Sequence, residues 1–231
     1  MPAELSSYNE LVDLRSRIDH TLLKVESGLT LADFAAAARM TVENGLRGLV
    51  VPPNMVAALT GRFPGLKLVT VVSYPLGGDT LGVKLEAVQA AAQDGASEVD
   101  AVLDLVSLVS GTDRFVHEAA EICHTARTCG LKVKLIIETP LLEEGRIRQI
   151  CKMLVEMDFM AIKTSTGYAR AATSEREVAL LRECMGTRHL VKASGGISDL
   201  ASARAMVAAG ADIIGTSRTA AILSQLQSEW Y

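Results

Sequence analysis

Short apolar runs alternate along the chain with longer segments in which apolar side chains recur every three or four positions. The runs are typical of strands that are buried on both faces, and the segments are typical of helices that cover such strands. We predict eight strands, over residues 18–23, 48–51, 67–72, 98–103, 132–137, 159–163, 189–192 and 212–214. A helix is predicted after each strand, and a short leading helix over 9–16 precedes the first.

Capping residues mark where several of the predicted helices begin. Thr30, Ser174 and Ser198 are expected to cap helices that run to residues 43, 185 and 209. The other helices before the last strand are predicted over 54–62, 81–94, 113–129 and 143–157.

Eight strands that alternate with helices through short connections predict a parallel (β/α)₈ barrel, the TIM barrel, of class α/β. Residues 1–231 are expected to form a single domain, because such barrels commonly reach this length and the chain shows no linker. The alternative is an open doubly wound sheet, but the first strand–helix junction lacks the GxGxxG pattern. A repeat array is disfavoured because the units share a layout without a repeated motif.

Composition narrows the class of function. Hydrophobic residues make up 49% of the chain and charged residues 22%, which is typical of a globular protein. The net charge of −4 argues against non-specific binding to nucleic acid. The four cysteines form no CxxC pair, so neither a zinc site nor a disulfide framework is indicated. The start of the chain lacks the order of a signal peptide, and no apolar run approaches the ~20 residues of a membrane span. These features predict a cytoplasmic protein without a membrane partner.

Two lysines stand where apolar strands end. Lys163 ends a predicted strand and precedes three hydroxyl residues and a glycine. Lys192 likewise ends the next strand and precedes small residues. An ammonium in such apolar surroundings must be paired or lose its proton, and a partly desolvated lysine is a nucleophile suited to a Schiff base. Neighbouring positive charges would lower each other's pKa. The alternative is a lysine that extends to the surface at a strand end.

Charged residues on other strands are expected to face these lysines. Alternation along the strands places Glu98 and Asp100 on one side, and Lys134 faces the same way on the next strand. Interior charges need partners, so Asp100 is expected to pair with Lys134 or Lys192. Such a pair could also serve only to satisfy a polar barrel interior. Asp19 adds a carboxylate on the first strand, where His20 is more typical of a structural histidine.

Glycine-rich loops follow the seventh and eighth strands. Gly195 and Gly196 lead into one helix, and Gly215 and Ser217 lead into the last. Glycines let backbone N–H groups approach an anion, and helix N-termini favour negative charge, so these loops predict a phosphate-binding site to which Gly167 adds a donor. The adjacent Arg218 also indicates an anionic substrate. A sugar-phosphate enzyme with a lysine nucleophile is therefore predicted.

Six segments of the chain resemble the signatures of the deoxyribose-phosphate aldolase family of class I aldolases, in family order and over nearly the whole chain. They are IDHTLLK at 18–24, EVD at 98–100, KLIIET at 134–139, IKTSTG at 162–167, VKASGG at 191–196 and GTS at 215–217.

The resemblance implies that Lys163 forms an imine with acetaldehyde, that Lys192 lowers its pKa and that Asp100 relays protons. Asp19, Thr21 and Lys134 are the expected supporting residues. The implied reaction is cleavage of 2-deoxy-D-ribose 5-phosphate to acetaldehyde and D-glyceraldehyde 3-phosphate, and the reverse condensation. The family needs no metal or organic cofactor, and a homodimer is implied.

Five positions depart from the family pattern. The segment SYPLG at 73–77 stands where the family often has GFPLG, so Ser73 replaces a glycine and Tyr74 a phenylalanine. Asp104 replaces an asparagine, Tyr168 stands where a lysine or phenylalanine occurs, and Arg218 replaces a small residue. They leave the lysine pair intact but bear on substrate preference, so a related enzyme with another aldehyde or sugar phosphate is an alternative. A non-covalent phosphate-binding isomerase or a barrel that binds without turnover are the others, and the paired lysines favour the aldolase.

Overall fold

The computed structural model describes residues 14–24, 28–168 and 171–229. Parallel strands pair in chain order and close into one barrel, because the first strand also pairs with the last. The strands are β1 (Ile18–Thr21), β2 (Gly48–Val50), β3 (Leu68–Val72), β4 (Glu98–Val102), β5 (Lys132–Ile136), β6 (Ala161–Lys163), β7 (Leu190–Ser194) and β8 (Ile213–Thr216). The predicted (β/α)₈ barrel is confirmed.

Helices cover the outside of the barrel. They are α1 (Leu31–Glu43), α2 (Val56–Leu59), α3 (Leu81–Gln93), α4 (Leu105–Ser110), α5 (Arg114–Thr128), α6 (Glu144–Leu154), α7 (Glu175–Met185), α8 (Leu200–Ala208) and α9 (Thr219–Ser228). The leading helix predicted over 9–16 lies mostly outside the described residues, of which 14–17 are helical. The single domain predicted over 1–231 stays a prediction.

Of the three helix N-caps predicted from the sequence, two are correct and one is wrong. Thr30 and Ser174 cap α1 and α7 as predicted, each with an acidic residue three positions later that completes a capping box. The cap predicted at Ser198 is wrong, because Asp199 caps α8 by accepting the backbone N–H of Ser202 at 2.8 Å. A carboxylate is at least as good a cap as a hydroxyl, and it stands one residue later.

Two further elements differ from the predictions. The helix expected over 54–62 is a 3₁₀ turn, Pro53–Met55, followed by the four-residue α2. The short α4 was not predicted; it begins at Asp104, whose side chain accepts the backbone N–H of Ser107 at 3.0 Å. Both helices are too short to show a helical period in the sequence.

Alternation along the strands separates an apolar layer from a charged interior. Val99 and Ala101 of β4 face outward into the main hydrophobic core, beside helix residues such as Ile122. Asp100 lies between them and faces inward, in register with Lys134 of β5. Lys163 and Lys192 are likewise in register on β6 and β7. The charges therefore lie inside the barrel, where β2 and β3 contribute apolar side chains such as Val69 and Val71, and the outward-facing side chains of β4 pack against the helices.

A buried ion pair ties the loop between β3 and α3 to the barrel. Lys84 of α3 donates to the carbonyl oxygens of Gly77 and Val102, each at 2.9 Å, and to Glu118 of α5 at 2.6 Å. The same loop carries Tyr74, whose hydroxyl donates to the carbonyl of Thr166 at 2.8 Å. Through these contacts the loop is held between α5 and the residues that follow β6.

Across the described ranges, no helix is both long and apolar enough to cross a membrane.

Candidate active site

Lys163 is delivered to the carboxyl end of the barrel by the short strand β6. The side chain is 4% exposed as a whole residue, and its Nζ donates to Asp100 Oδ2 at 2.9 Å. Residues on either side, Ile162 and Thr164, are fully buried. The amine is therefore desolvated, and within the described ranges its ion-pair partner is Asp100.

Lys192 shares that carboxylate oxygen. Its Nζ donates to Asp100 Oδ2 at 2.8 Å and to Asp19 Oδ2 at 2.6 Å, and the side chain is completely buried. Because β6 and β7 are adjacent and in register, Lys163 and Lys192 reach the same oxygen from neighbouring strands. The two lysines predicted to act together lie together.

Lys134 completes the layer below. Its Nζ lies 2.8 Å from Asp100 Oδ1 and 2.6 Å from Glu98 Oε2. The predicted pairing of Asp100 with Lys134 or Lys192 is confirmed for both lysines. Arg47, which immediately precedes β2, holds the outer side of the cluster, with contacts to Glu98 at 2.7 Å and to Asp19 at 2.7 Å.

Burial sets the protonation of Lys163. Desolvation, together with the positive charge of Lys192, lowers the pKa of Lys163 to about 8, against the opposite pull of Asp100. About a tenth of the amine is then neutral at pH ~7, whereas an ordinary lysine is almost wholly charged. The site therefore makes a nucleophilic amine available near physiological pH.

At the carboxylates the charged form is favoured instead. Burial alone would raise the pKa of Asp100, but the charges of Lys134, Lys163 and Lys192 hold it well below its usual range. Burial is likewise outweighed at Asp19, where Lys192, Lys134 and Arg47 lower the pKa to about 2. Both groups are ionised and act as hydrogen-bond acceptors at neutral pH.

A cavity of about 350 Å³ opens above Lys163 at the carboxyl ends of the strands. Asp100 and Lys192 are not among its lining residues, so of the two paired lysines Lys163 is the one that faces the cavity. The predicted phosphate-binding residues all line it, as does Thr21; they are Gly167, Gly195, Gly196, Gly215 and Ser217. The sequence-predicted residues therefore fall into one site, with a charged layer below and a glycine-rich wall beside the amine.

The glycines of this wall are required by close packing. Gly195 has a φ of +97°, and a Cβ there would lie 2.5 Å from Ser165 Oγ. A Cβ on Gly215 would lie 2.9 Å from Ser194 Cβ and 3.1 Å from Lys192 Cε. Larger residues at these positions would push into the cavity wall or displace Lys192.

Hydrogen bonds from hydroxyl side chains join the ends of β6 and β7. The carbonyl oxygen of Ser194 accepts hydrogen bonds from Ser165 at 2.5 Å, from Thr173 at 2.6 Å and from Thr164 at 3.1 Å. Ser194 in turn donates its hydroxyl to the carbonyl of Ser165 at 2.6 Å. The run of hydroxyl residues after Lys163 thus holds the two lysine-bearing strands at a fixed separation.

The family departures lie in different places. Arg218 lines the cavity, and Tyr168 packs edge-on against Tyr74 with ring centroids 5.4 Å apart. Asp104, by contrast, is not among the lining residues and forms an ion pair with Arg114 at 2.9 Å. Of the charge changes expected near the barrel mouth, the one at Arg218 lies in the cavity and the one at Asp104 does not.

His20 lies outside the charged layer. Its ring is buried, Nδ1 lies 2.9 Å from Thr219 Oγ1, and burial lowers its pKa to about 4. A neutral, hydrogen-bonded ring agrees with the structural role predicted for this histidine.

Sequence reasoning missed Arg47. The residue follows a turn after α1 and precedes β2, a common position for a solvated arginine. The sequence signal for a role of Arg47 was weak, because it consists of one charged residue directly before an apolar strand. Three or more His, Cys, Asp or Glu side chains that could hold a metal ion are not grouped anywhere in the described part of the chain.

A (β/α)₈ barrel that presents one desolvated lysine to a glycine-walled cavity has the arrangement of a class I aldolase. The chain is 38% identical over 216 residues to deoxyribose-phosphate aldolase of Thermus thermophilus, which covers 92% of this chain and 96% of that protein. It is 35% identical over 214 residues to the enzyme of the same name from Geobacillus sp., covering 91% and 95%.

A solved structure of deoxyribose phosphate aldolase from Aeropyrum pernix, described as tetrameric, has a TM-score of 0.88 and 32% identity, covering 97% of this chain and 95% of that one. No protein-family model matches. The chain belongs to the deoxyribose-phosphate aldolase family.

Proposed function

We propose that this protein cleaves 2-deoxy-D-ribose 5-phosphate to acetaldehyde and D-glyceraldehyde 3-phosphate, and catalyses the reverse condensation, through a Schiff base on Lys163. One observation carries the proposal: two lysine amines share Asp100 Oδ2, and of the two Lys163 lines the cavity. The amine beside the cavity is the nucleophile, and the buried amine tunes it.

The chemistry follows from an amine that is neutral part of the time. Lys163 Nζ attacks the aldehyde carbon of the open-chain sugar, and loss of water leaves a protonated imine. As the C3 hydroxyl loses its proton, the C2–C3 bond breaks, C3 becomes the aldehyde carbon of glyceraldehyde 3-phosphate, and the electron pair of the broken bond enters the iminium to form an enamine. Glyceraldehyde 3-phosphate leaves, the enamine is protonated at C2, and hydrolysis releases acetaldehyde.

The charged layer assists without entering the cavity. Lys192 favours the neutral form of Lys163 through like-charge repulsion, and Asp100 fixes both amines by accepting from each. Asp100 is ionised and is therefore able to accept a proton, so we also assign it, together with water, the relay of protons that the family resemblance implies. Lys134 and Asp19 keep that carboxylate and Lys192 in position.

The phosphate of the substrate is assigned to the glycine-rich wall. Gly195, Gly196 and Gly215 leave room for an anion close to the backbone, and Ser217 offers a hydroxyl beside them. Arg218 also lines the cavity and adds a positive charge that suits a phosphate dianion. This wall lies in the same cavity as Lys163, as a phosphorylated substrate requires.

The imine on Lys163 serves as the electron sink of this reaction, so we propose that the enzyme works without a metal or organic cofactor. A cytoplasmic location and a homodimer are also proposed. Light scattering on the purified protein would test the dimer against the tetramer named for the Aeropyrum pernix relative.

Borohydride trapping tests the proposal directly. The protein is mixed with acetaldehyde, reduced, digested and mapped by mass spectrometry, and an N-ethyl adduct is expected on Lys163. Lys163→Met should give no adduct, and Lys132→Met, which removes an exposed lysine at the start of β5, should trap as the wild type does. An adduct elsewhere, or none, contradicts the assignment of the nucleophile.

A second assay separates the substrate from the chemistry. Release of glyceraldehyde 3-phosphate from 2-deoxyribose 5-phosphate is followed by coupled reduction. Trapping on Lys163 without this release would indicate a related aldolase that accepts another aldehyde or sugar phosphate.

A further inference from the structure

The positive and negative charges in the cluster around and below Lys163 do not cancel. In the described part of the chain its buried carboxylates are Asp19, Glu98 and Asp100, and the cations in contact with them inside the barrel are Arg47, Lys134, Lys163 and Lys192. With every group ionised, the cluster carries one positive charge in excess. A buried excess charge is costly, so the group that loses its proton most easily is expected to do so.

Arg47 is the cation that cannot respond. Its guanidinium donates to Asp19 at 2.7 Å and to both oxygens of Glu98 at 2.9 and 2.7 Å, and its side chain is 12% exposed. These carboxylates raise a pKa that is already far above neutrality, so the charge is permanent. Arg47 precedes β2, at the opposite end of the barrel from the cavity, and NH2 lies 3.9 Å from Met160 Sδ just before β6.

Lys163 is the cation with the weakest compensation. Lys134 contacts Glu98 and Asp100, and Lys192 contacts Asp19 and Asp100. Among the described residues, the carboxylate contact of Lys163 is the single oxygen Asp100 Oδ2, which it shares with Lys192.

The groups around the cluster do not change this ranking. Glu138, at the end of β5, is buried and accepts the backbone N–H of Thr166 at 3.0 Å, and burial raises its pKa, so it is a poor counter-ion. Lys24 and Arg218 line the cavity above and add further positive charge. Lys67 lies 3.6 Å from Glu98, but its side chain is 42% exposed and therefore screened by water.

We propose that Arg47 is a positioning residue for the aldol reaction: by occupying Asp19 and Glu98 with a permanent charge, it leaves the Lys163 amine without a full counter-ion and so favours its neutral form. Without Arg47, three lysines would face three carboxylates, and Lys163 could keep its proton. The inference rests on the proposed role of Lys163 as nucleophile. Under this proposal Arg47 touches no substrate, yet it controls the fraction of the Lys163 amine that is neutral and reactive.

The test measures the protonation of Lys163 without relying on turnover. Competitive acetylation with acetic anhydride from pH ~6 to ~10, followed by peptide mass mapping, gives the midpoint at which Lys163 becomes reactive. In Arg47→Met this midpoint is expected to rise by about one pH unit or more, which lowers the neutral fraction at pH ~7 about tenfold. The acid limb of kcat/KM should move by the same amount.

Variants that change the net charge of the cluster test the direction in which the midpoint of Lys163 moves. Glu98→Gln enlarges the positive excess, so its midpoint should fall, and the double variant Arg47→Met/Glu98→Gln restores the original excess and should return toward the wild-type value. Lys67→Met removes a solvent-screened cation near the same carboxylate and should leave the midpoint unchanged.

An unmoved midpoint in Arg47→Met overturns the inference, as does an upward or absent shift in Glu98→Gln; the latter decides the matter if Arg47→Met does not fold. If the wild type forms no imine on Lys163, the proposed function fails, while the labelling midpoints still judge the charge argument separately.

Discussion

At the scale of single residues, activity should follow the deprotonation of Lys163. Burial lowers its pKa to about 8, and the neutral amine is the reactive form, so kcat/KM is expected to rise with pH and level off above pH ~8. The sign is that of a base whose charged form is destabilised: activity is lost as pH falls. Initial rates of deoxyribose 5-phosphate cleavage at constant ionic strength measure the profile. A flat profile between pH ~6 and ~9 would contradict this assignment.

Lys192 should matter almost as much as the nucleophile. In Lys192→Leu the neighbouring positive charge is gone and Asp19 and Asp100 lose a partner, so Lys163 stays protonated and kcat/KM should fall by about three orders of magnitude. Circular dichroism checks that the barrel survives. Lys132→Leu, at an exposed position on β5, is the matched control, and near-normal turnover in Lys192→Leu would remove that lysine from the mechanism.

The charged residues differed in how well the sequence predicted them. Asp100 and Lys134 could be paired in advance, because alternation along adjacent strands points both inward at one level. Arg47 could not, because it precedes its strand and no alternation rule says that a residue there turns under the barrel rather than into water. Its contact with Glu98 depends on the path of a turn, which sequence patterns do not specify.

At the scale of elements, the loops after β7 and β8 should select for phosphate. Ser217→Glu places a carboxylate in the cavity wall, so KM for 2-deoxyribose 5-phosphate should rise about tenfold or more, while kcat/KM for unphosphorylated 2-deoxyribose changes little. Ser228→Glu adds the same charge at the exposed end of α9 and is the control. Equal effects on both substrates would place the phosphate elsewhere.

Long elements were predicted better than short ones. The eight strands show as apolar runs, and the longer helices carry enough apolar positions to show their period. The N-caps of these helices lie within one residue of the prediction, as at Asp199, whereas the helix predicted to end at Met157 ends at Leu154. The short α4, with the sequence LVSLVS, has fewer than two turns in which to show a period, and it is defined by the cap at Asp104. The same capping role explains why Asp104 does not line the substrate cavity.

At the scale of the whole molecule, closure of the barrel creates contacts that no local pattern contains. Lys192 and Asp19 are 173 positions apart, yet their side chains meet at 2.6 Å because β8 lies between β7 and β1 and pairs with both. The strand order could be inferred from the alternation of elements. The stagger that puts these two side chains at one depth depends on all eight strands together.

Stability should depend more on one buried ion pair outside the active site than on surface pairs. Lys84 is fully buried and satisfies two carbonyl oxygens as well as Glu118, whose other oxygen accepts the backbone N–H of Asp104 at 2.7 Å. Lys84→Met removes these donors and leaves a buried carboxylate without its cation, so the free energy of unfolding should fall by about 3–5 kcal/mol. Urea denaturation at neutral pH measures the change.

Two comparisons make that result specific to the ion pair. Arg148→Met breaks a pair with Glu183 in which both side chains are about half exposed, and it should leave the urea midpoint nearly unchanged because water screens the charges. The double variant Lys84→Met/Glu118→Gln no longer buries an unpaired charge and should recover part of the loss. If Lys84→Met were as stable as Arg148→Met, the contacts of Lys84 would not hold the β3–α3 loop against the barrel, and the position of Tyr74 beside the cavity would need another cause.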